Sequence, residues 1–363
     1  MNNFPKFYNK IFDYSLKKAT HIKFNDILKT RTIIDNKDKI FITTKHIYNE
    51  LPIRLANRVT DLNNLPFGLA KNHSINKVRE WYLTSCLELF ETKEPKTNED
   101  IINFKSSIQN IYKRHSPTLL TISKGLYELK RDKIITDIEE PTMQQFLNRF
   151  YTNRTEIRIL LEYYISLFDN KNEEHIFGTV NLKCFPHLIL NDVMSNIQYI
   201  CRKDYSNIEL DDIIKVNIDK NLHFPTIDNY LYYMLFELIK NSVKAVIEKK
   251  KSNMVNNYLP HIDISITDHK NYILLRIEDN GIGIKDENKD KIWYFSYSSS
   301  KIDEKDILED NDFSVSTPLS GFGYGLPIVN IYADFFNSTK NNIILFSEYG
   351  QGTTVCLYMK KYI

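Results

Sequence analysis

Glycine is concentrated near the C-terminal end of this chain. Seven of the ten glycines lie after residue 280, in three short clusters. The clusters are Asp-Asn-Gly-Ile-Gly at 279–283, Gly-Phe-Gly-Tyr-Gly-Leu-Pro at 321–327 and Gly-Gln-Gly-Thr-Thr at 350–354. Because glycine tolerates left-handed backbone and close approach by other groups, the clusters predict tight turns around a bound molecule.

A Glu/Asn motif, Phe-Glu-Leu-Ile-Lys-Asn-Ser at 236–242, precedes these clusters. It lies in an apolar segment, 228–251, that is predicted to be a helix. Spacings of four, four and three place four residues on one side of that helix: Tyr233, Glu237, Asn241 and Lys244. A solvated stripe is one interpretation. A charge is costly to bury without a partner, however, so the apolar setting favours a binding site.

The side chains of this helix suit magnesium and phosphate chemistry. Asn241 offers a neutral oxygen to Mg²⁺, an ion that takes few ligands from protein and the rest from phosphate and water. Glu237, one turn earlier, is placed to orient or deprotonate an attacking hydroxyl. Lys244 is predicted to reach a phosphate.

The first glycine cluster follows a predicted strand over 272–278. Asp279, at its end, can accept a hydrogen bond from an adenine amino group, and such charge-assisted bonds contribute roughly 1.5–3 kcal/mol. Gly281 and Gly283 let the backbone bend and approach the base. This turn alone is weak evidence, because the same pattern occurs in plain turns.

The second cluster predicts a lid over a nucleotide. Five residues precede Leu326 and Pro327: Gly321, Phe322, Gly323, Tyr324 and Gly325. With Pro at the first position of a helix over 327–337, the free N–H groups and the helix dipole form an anion site. Three glycines also allow the lid to open and close. Thr353, in the third cluster, supplies a hydroxyl at the far wall of the adenine pocket.

The pattern along the chain changes at about residue 178. Residues 1–177 contain little glycine and repeat apolar residues every three or four positions, which predicts a bundle of about four long helices. Beyond that point, alternation such as Ile262, Ile264 and Ile266 predicts strands. The fold predicted is α+β, with a helical bundle over 1–177 followed by an α/β sandwich over 178–363.

Composition excludes several classes of function. The net charge of +2 argues against a general nucleic-acid or membrane-surface binder. Four widely spaced cysteines predict free thiols in a reducing compartment. Without an apolar run of about 18 residues, no transmembrane segment is expected. The basic first 34 residues faintly suggest an organelle transit sequence, but a basic first helix of the folded protein is preferred.

The order of these motifs resembles the GHKL superfamily of ATP-binding folds, which includes type II topoisomerases, heat-shock chaperones of that class, mismatch-repair ATPases and sensor histidine kinases. A narrower likeness is to the mitochondrial pyruvate dehydrogenase kinases and branched-chain 2-oxo acid dehydrogenase kinases. It is carried by the lid and by four helical motifs: Glu-Leu-Pro-Ile-Arg-Leu-Ala at 50–56, Trp81-Tyr82, Phe-Leu-Asn-Arg-Phe-Tyr at 146–151, and Arg154-x-x-x-Arg158.

The resemblance implies a protein-serine kinase that uses ATP and Mg²⁺ to phosphorylate and inactivate the thiamine-dependent component of a 2-oxo acid dehydrogenase complex. By the same likeness, Glu237 is the general base, Asn241 the magnesium ligand and Asp279 the adenine partner. A lipoyl domain as docking site for the helical domain, a homodimer and a location in the mitochondrial matrix are likewise implied.

Two further groups of residues are assigned by the resemblance alone. Ser298 and Ser299 match nucleotide contacts at the start of the lid, and Gly321–Leu326 match the part that wraps the phosphates. Five residues of the helical domain match positions that line an inhibitory 2-oxo acid pocket: Tyr82, Ser85, His115, Arg154 and Arg158. Two arginines can hold a carboxylate through charge-assisted bonds. A solvated helix face remains the alternative for each of the five.

The sequence also departs from that family. Tyr233 stands where the pyruvate-specific enzymes carry a His, and Tyr112 where they carry an Arg. Asn280 and Ile282 lean toward histidine kinases. The sequence given ends at Ile363, where the pyruvate-specific enzymes continue into a tail used in dimer contacts and lipoyl-domain docking; the branched-chain enzymes lack that tail but resemble this chain less in the lid. These departures leave pyruvate specificity, effector response and docking mode open.

Two other functions remain possible for the same ATP site. A sensor histidine kinase needs a phosphate-accepting His with an acidic neighbour, and His175, preceded by Glu173 and Glu174, is the candidate. In an ATP-driven conformational clamp, Glu237 would activate water. The ATP domain of such clamps usually comes first in the chain, whereas here it comes last.

Overall fold

The computed structural model describes residues 4–30, 36–65, 69–132, 134, 141–169, 175–204, 209–252, 260–297, 323–337, 339 and 341–362. The chain folds into two compact units. One comprises Met1–Ile22 and Lys29–Asn172, and the other Lys23–Leu28 and Glu173–Ile363. The first is helical and the second combines sheets with helices, so the predicted α+β class is confirmed. No helix in these ranges is long and apolar enough to cross a membrane.

The helical unit contains six of the described helices. They are α1 (Phe4–Ser15), α3 (Asn36–Asn63), α4 (His73–Glu91), α5 (Asn98–His115), α6 (Thr118–Arg131) and α7 (Pro141–Ser166), while α2 (Phe24–Lys29) lies almost wholly in the other unit. Five of the six have at least 14 residues, against the about four long helices expected. The extra helix arises because α5 and α6 are separated at Ser116-Pro117, where proline lacks the N–H that would continue α5.

Side-chain caps fix the starts of α4 and α5. The Asn72 side chain accepts a hydrogen bond from the N–H of Ile75, 3.1 Å away. At α5, Thr97 and Asp100 form a reciprocal capping box. Each bond satisfies backbone groups that have no partner inside the helix, so these polar residues set where the helices begin.

A buried ionic network in the core of the helical unit is centred on Arg54 of the motif at 50–56. Arg54 is 2% exposed and pairs with Glu50 at 3.1 Å and Glu156 at 2.8 Å. Glu50 also accepts the N–H of Thr20 at 2.7 Å, and Nδ1 of His21 lies 3.1 Å from Glu156. The network therefore ties the segment after α1 to α3 and α7.

The second unit is built on a five-stranded sheet in the order β3-β5-β6-β8-β7. Its strands are β3 (Ile214–Ile218), β5 (Ile262–Asp268), β6 (Tyr272–Asp279), β7 (Ile343–Glu348) and β8 (Gly352–Lys360). The β3/β5 pair is parallel and the other pairs are antiparallel. Ile262, Ile264 and Ile266 are buried, as the alternation predicted, so one face of the sheet carries the core.

Among its described residues, this unit has three α-helices besides α2: α8 (Pro186–Asp204), α9 (Asp228–Lys251) and α10 (Gly325–Asn337). Helix α9 contacts α8, α10 and β6, and α10 also contacts β8. A small antiparallel sheet, β1-β2-β4, was not predicted from the sequence. Its strands are β1 (Ile176–Phe177), β2 (Val180–Cys184) and β4 (Phe224–Thr226), and β1 and β4 are too short for period-two alternation to be visible.

Helix α2 packs into the second unit although its sequence lies near the N-terminus. The Phe24 ring contacts Phe336 at a centroid distance of 4.9 Å, Tyr362 at 5.6 Å and Phe335 at 6.0 Å. Edge-on contacts of this kind stabilise aromatic clusters beyond the area that they bury. A segment that lies between α1 and α3 in the sequence thus completes the core beside the end of α10.

We expect Arg54→Ala to destabilise the protein by about 3–5 kcal/mol, because it leaves two buried carboxylates without their cation. Urea unfolding of the purified protein measures this loss. Arg149→Ala is the matched control, since the 3.2 Å pair of Arg149 with Asp61 is largely exposed on the arginine side, and exposed pairs contribute about 0–1 kcal/mol. Equal losses for both variants would contradict a structural role for the network.

Candidate active site

A cavity of about 450 Å³ lies in the second unit, among α9, the turn after β6 and the start of α10. Nine residues assigned to the site from the sequence line it: Glu237, Asn241, Lys244, Asp279, Gly283, Gly323, Gly325, Leu326 and Thr353. Gly281 and Tyr324 are adjacent to it rather than among its lining residues. Four other predicted nucleotide contacts lie outside the described residues: Ser298, Ser299, Gly321 and Phe322.

Asp279 is 4% exposed and lies at the base of this cavity. Ser242 donates a hydrogen bond to Oδ2 at 2.9 Å, and the N–H of Gly281 donates one to Oδ1 at 2.9 Å. Burial raises the pKa of the Asp279 carboxyl, while the bonds from Gly281 and Ser242 oppose that shift. The carboxylate is thus fixed in orientation before any ligand arrives.

Ser242 ends the motif at 236–242 but was not assigned to the site from the sequence, so its bond to Asp279 was missed. The sequence did contain an indication: Ser242 follows Asn241 directly and lies one turn beyond Leu238, on a helix face whose other side chains are aliphatic. A buried hydroxyl needs a hydrogen-bond partner, and the carboxylate that ends β6 is that partner.

The turn after Asp279 has no room for side chains at its glycines. A Cβ at Gly281 would lie 2.6 Å from Cβ of Ala245 and 2.7 Å from Oδ1 of Asp279. Gly283 has a φ of 69°, and its Cβ would overlap the carbonyl oxygen of Glu348. The N–H of Ile282 also donates to the Ala245 carbonyl at 3.1 Å. The turn is therefore pressed against α9, which holds Asp279 beside the cavity.

Glu237 projects from α9 into the same cavity and is 7% exposed. Its Oε1 lies 2.8 Å from Nζ of Lys240, which is 2% exposed and sits 5.3 Å from the centroid of the Phe236 ring. Lys240 was not predicted as a site residue. The spacing of three along one helix was the sequence signal that could have identified it.

Asn241 and Lys244 occupy the more open wall of the cavity. The Asn241 side chain is exposed, and Nζ of Lys244 lies 4.0 Å from Glu248. Burial lowers the pKa of Lys244, as does the nearby Lys240, while Glu248 opposes the shift. Among the residues that the structure describes, no group of three or more His, Cys, Asp or Glu could hold a metal ion. A bound Mg²⁺ would therefore need phosphate and water ligands besides Asn241.

Helix α10 begins two residues earlier than predicted. The N–H of Ile328 bonds to the Tyr324 carbonyl at 3.1 Å, so Gly325 is the first helical residue and Pro327 the third. Proline is tolerated there because the first N–H groups of a helix have no partner within it. A Cβ at Gly325 would overlap Oε2 of Glu237 in its present position, so glycine there lets that carboxylate lie against the helix start.

Tyr324 is held in the protein core rather than pointed at the cavity. Its ring packs on Phe295 at a centroid distance of 5.9 Å, and its hydroxyl shares a hydrogen bond with Ser296. Gly323, with a φ of 76°, accepts the N–H of Ser296 at 3.0 Å. The end of the lid is thereby anchored to the residues just before Ser298.

Thr353 lines the wall of the cavity formed by β8. Its hydroxyl shares a 2.9 Å hydrogen bond with Ser347, whose Oγ accepts the N–H of Ile284 at 2.9 Å. Ser347 was not predicted. The pair of hydroxyls joins the β7/β8 hairpin to the turn that follows Asp279.

Three of the five residues assigned to an effector pocket are in contact in the helical unit. Oγ of Ser85 lies 2.9 Å from Nε2 of His115, and the rings of Tyr82 and His115 meet at 4.2 Å. Burial lowers the pKa of His115 to about 3, and the charges of Arg114 and Arg154 add to that shift. His115 is therefore a neutral imidazole at physiological pH.

The two arginines of this group differ in their surroundings. Nε of Arg154 is buried without a hydrogen-bond partner among the described residues, and one terminal nitrogen lies 3.5 Å from the Ser116 carbonyl. Arg158 pairs with Glu162 at 2.9 Å and lies over the Tyr112 ring at 4.6 Å. Arg158 is thus already paired with its neighbours, whereas Nε of Arg154 can still donate a hydrogen bond.

The same region contains an arginine that sequence reasoning missed. Arg114 donates to Ser85 at 2.7 Å and forms a two-pronged pair with Glu88 at 2.7 and 2.9 Å. Its position in the last turn of α5, directly before His115, was the available signal.

On this mixed sheet, a helix bearing Glu and Asn, a buried Asp before a glycine turn and a second helix that begins at a glycine define a GHKL-type ATP-binding domain. Residues 227–363 match the family profile described as "Histidine kinase-, DNA gyrase B-, and HSP90-like ATPase". Residues 21–181 match the profile described as "Mitochondrial branched-chain alpha-ketoacid dehydrogenase kinase".

Similar proteins of known function cover most of the chain. Mitochondrial pyruvate dehydrogenase (acetyl-transferring) kinase isozyme 4 of Ictidomys tridecemlineatus is 30% identical over 319 residues, which is 86% of this chain and 74% of the relative. The mitochondrial kinase of Arabidopsis thaliana is 28% identical over 324 residues, or 89% and 85% of the two chains. Human isozyme 1 is 30% identical over 323 residues, or 86% and 71%. The chain belongs to the mitochondrial pyruvate dehydrogenase kinase family, and it is a protein kinase with an ATP-binding domain.

We expect Asp279→Asn to weaken ATP binding by about tenfold or more, or about 1.4 kcal/mol, because an amide cannot supply the same charged acceptor. Isothermal titration calorimetry measures the Kd. Asp286→Asn is the control, since Asp286 is an exposed carboxylate in the same connecting segment. Unchanged affinity for Asp279→Asn would remove this residue from the nucleotide site.

Proposed function

We propose that this chain transfers the γ-phosphoryl group of ATP to a serine of the thiamine-dependent component of a 2-oxo acid dehydrogenase complex, pyruvate or branched-chain, and thereby inactivates it. The observation that carries the proposal is the single cavity that Glu237, Asn241 and Asp279 share. The names of the relatives support the substrate class, since each is a pyruvate dehydrogenase kinase.

The residues present fit MgATP. The buried carboxylate of Asp279 faces a cavity of about 450 Å³, and glycine backbone replaces side chains where ligand and protein must approach closely. A carboxylate fixed by Ser242 and Gly281 is preorganised to accept an adenine amino group. Bound MgATP supplies the phosphoryl group and a divalent charge that neutralises the phosphates.

The chain provides two kinds of group for the phosphate end of such a ligand. Asn241 supplies a side-chain oxygen for the metal, and Lys244 a positive charge one turn further along α9. The start of α10, at Gly325 and Leu326, presents backbone N–H groups and the positive end of the helix dipole. Fixed donors of this type stabilise charge without reorganising during the reaction.

Glu237 is the residue best placed to act on the substrate hydroxyl. It is buried at the edge of the same cavity, opposite the start of α10. A carboxylate held there can orient the serine hydroxyl and accept its proton. His175, the candidate for histidine phosphorylation, lies in a turn before β1 and outside the described helices, which does not favour the histidine-kinase alternative.

The helical unit is proposed to serve docking and regulation. Membership of the family supports a lipoyl domain as docking partner, a homodimer and a location in the mitochondrial matrix. The cluster of Tyr82, Ser85 and His115, with Arg154 nearby, is proposed as the pocket for an inhibitory 2-oxo acid. Neutral His115 would be a hydrogen-bonding group there, leaving an arginine to bind the carboxylate.

Labelling with radioactive ATP tests the proposed reaction. Purified thiamine-dependent components of the pyruvate and branched-chain complexes are offered side by side, and the phosphoamino acid is then identified. We expect acid-stable phosphoserine on one of the two components, together with loss of its dehydrogenase activity. Acid-labile phosphohistidine would contradict the serine-kinase function, and ATP hydrolysis without protein labelling would favour a conformational clamp.

We expect Glu237→Gln to keep nucleotide affinity while losing roughly 10²–10⁴ in transfer rate, the usual contribution of a general base. Calorimetry with MgATP and single-turnover transfer measure the two quantities separately. The exposed Glu287→Gln, in the connection after the glycine turn, controls for the loss of a carboxylate. Transfer by Glu237→Gln at a near-normal rate would show that another group takes the proton.

We expect Arg154→Ala to raise the concentration of a 2-oxo acid, or of a halogenated mimic, needed for half-inhibition by about tenfold or more, given that a charge-assisted bond contributes roughly 1.5–3 kcal/mol. Inhibition of transfer at fixed ATP measures this effect. Arg149→Ala, on the same helix and largely exposed, is the control. Identical inhibition curves for the three proteins would leave the proposed effector pocket without support.

A further inference from the structure

The ammonium group of Lys240 is the most deeply buried cation on the wall of the nucleotide cavity among the described residues. Its side chain is 2% exposed, whereas Lys244, one turn further on α9, keeps 17% of its side chain exposed. Burial of a cation is unfavourable unless it is paired and hydrogen-bonded. Such a position requires an explanation that the ATP-binding assignment of the cavity does not provide.

The partner of Lys240 is one oxygen of Glu237. The Nζ–Oε1 distance is 2.8 Å, within the range of a charge-assisted hydrogen bond, and the residues are three apart on α9. The Phe236 ring lies 5.3 Å from the same ammonium group and restricts it from another side. Lys240 therefore restricts the rotation of the Glu237 carboxylate.

The other oxygen of Glu237 faces a different element. Oε2 lies so close to Gly325, the first residue of α10, that a Cβ there would overlap it. Gly325 and Gly323 both line the cavity. One carboxylate oxygen is thus occupied by an ammonium group, while the second is directed to the side of the cavity where the lid joins α10.

We propose that Lys240 is a positioning residue for phosphoryl transfer, which holds Oε1 of Glu237 and leaves Oε2 as the atom that accepts the proton of the substrate hydroxyl. The inference rests on the proposed function of Glu237. In the reaction the O–H bond of the substrate breaks and its proton passes to Oε2. The substrate oxygen bonds to the γ-phosphorus, and the electron pair of the broken P–O bond leaves with ADP.

This role differs from that of a lysine that binds phosphate. A phosphate-binding lysine contributes to nucleotide affinity and acts whether or not a carboxylate stands at position 237. A positioning lysine acts only through Glu237, so its removal has no further effect once that carboxylate is gone. A double-mutant cycle between positions 237 and 240 distinguishes the two roles.

The experiment compares wild type, Glu237→Gln, Lys240→Met and the double variant in the full-length protein. MgATP affinity is measured by calorimetry, and kcat by single-turnover labelling of the dehydrogenase component at saturating ATP. We expect Lys240→Met to lower kcat by roughly 10–100-fold, part of the contribution of a general base, and to change the Kd by less than about threefold. The double variant is expected to transfer at the rate of Glu237→Gln alone.

Lys244→Met is the matched control on the same helix and the same cavity wall. We expect it to raise the Kd for MgATP and to add its effect to that of Glu237→Gln. Thermal unfolding confirms that each protein is folded, and Lys240→Gln replaces Lys240→Met if the latter is unstable. A normal kcat for the Lys240 variants, a Kd that rises as much as kcat falls, or full additivity with Glu237→Gln would each overturn the proposal.

The same data separate this inference from the proposed function. Failure of the wild type to label a dehydrogenase component refutes the function itself. Labelling by the wild type, loss of rate in Glu237→Gln and a normal Lys240→Met refute the role of Lys240 alone.

Discussion

The second unit depends on a buried carboxylate that accepts hydrogen bonds from two elements. Asp279 ends the central strand β6, where Ser242 reaches it from α9 and the N–H of Gly281 from the following turn. An unsatisfied charge in that position would cost more than most side-chain contacts recover. The glycine turn, the hydroxyl on the helix and the strand end therefore form one arrangement, and the shape of the cavity follows from it.

Glu237 shows a second solution to the same problem. Asp279 is satisfied by neutral donors, which leave it able to accept another hydrogen bond, whereas Glu237 is paired with the cation of Lys240. The first arrangement suits recognition of a polar edge, because the carboxylate keeps a fixed direction. The second suits the proposed proton transfer, because the Lys240 ammonium group contacts Oε1 and leaves Oε2 facing the start of α10. Residues of α9 thus hold two buried acids in place by different contacts.

The sequence predicted the elements with strong periodicity or distinctive turns. Helix α9 and the strands around Ile262 and Asp279 follow directly from spacing and glycine placement. It did not predict partners that depend on three-dimensional proximity, such as Lys240 beside Glu237 or Ser347 beside Thr353. The sequence shows that such a residue is polar, but it does not show which other side chain the residue will contact. The three-stranded sheet and the α5/α6 boundary were missed because their signals extend over only two to five residues.

Helix α2 has a consequence for how the polypeptide can be divided. Its Phe24 is packed among Phe335, Phe336 and Tyr362, yet more than a hundred residues of the helical unit follow it in the chain. A recombinant fragment that starts at residue 173 would retain the central sheet but lack Phe24, so the rings that Phe24 covers would be exposed to solvent. Losing this buried side chain is expected to reduce the stability of the fragment by about 1.5–3 kcal/mol. The ATP-binding half is thus complete only when a short piece from the opposite end of the polypeptide is supplied, either by connection or as an added peptide.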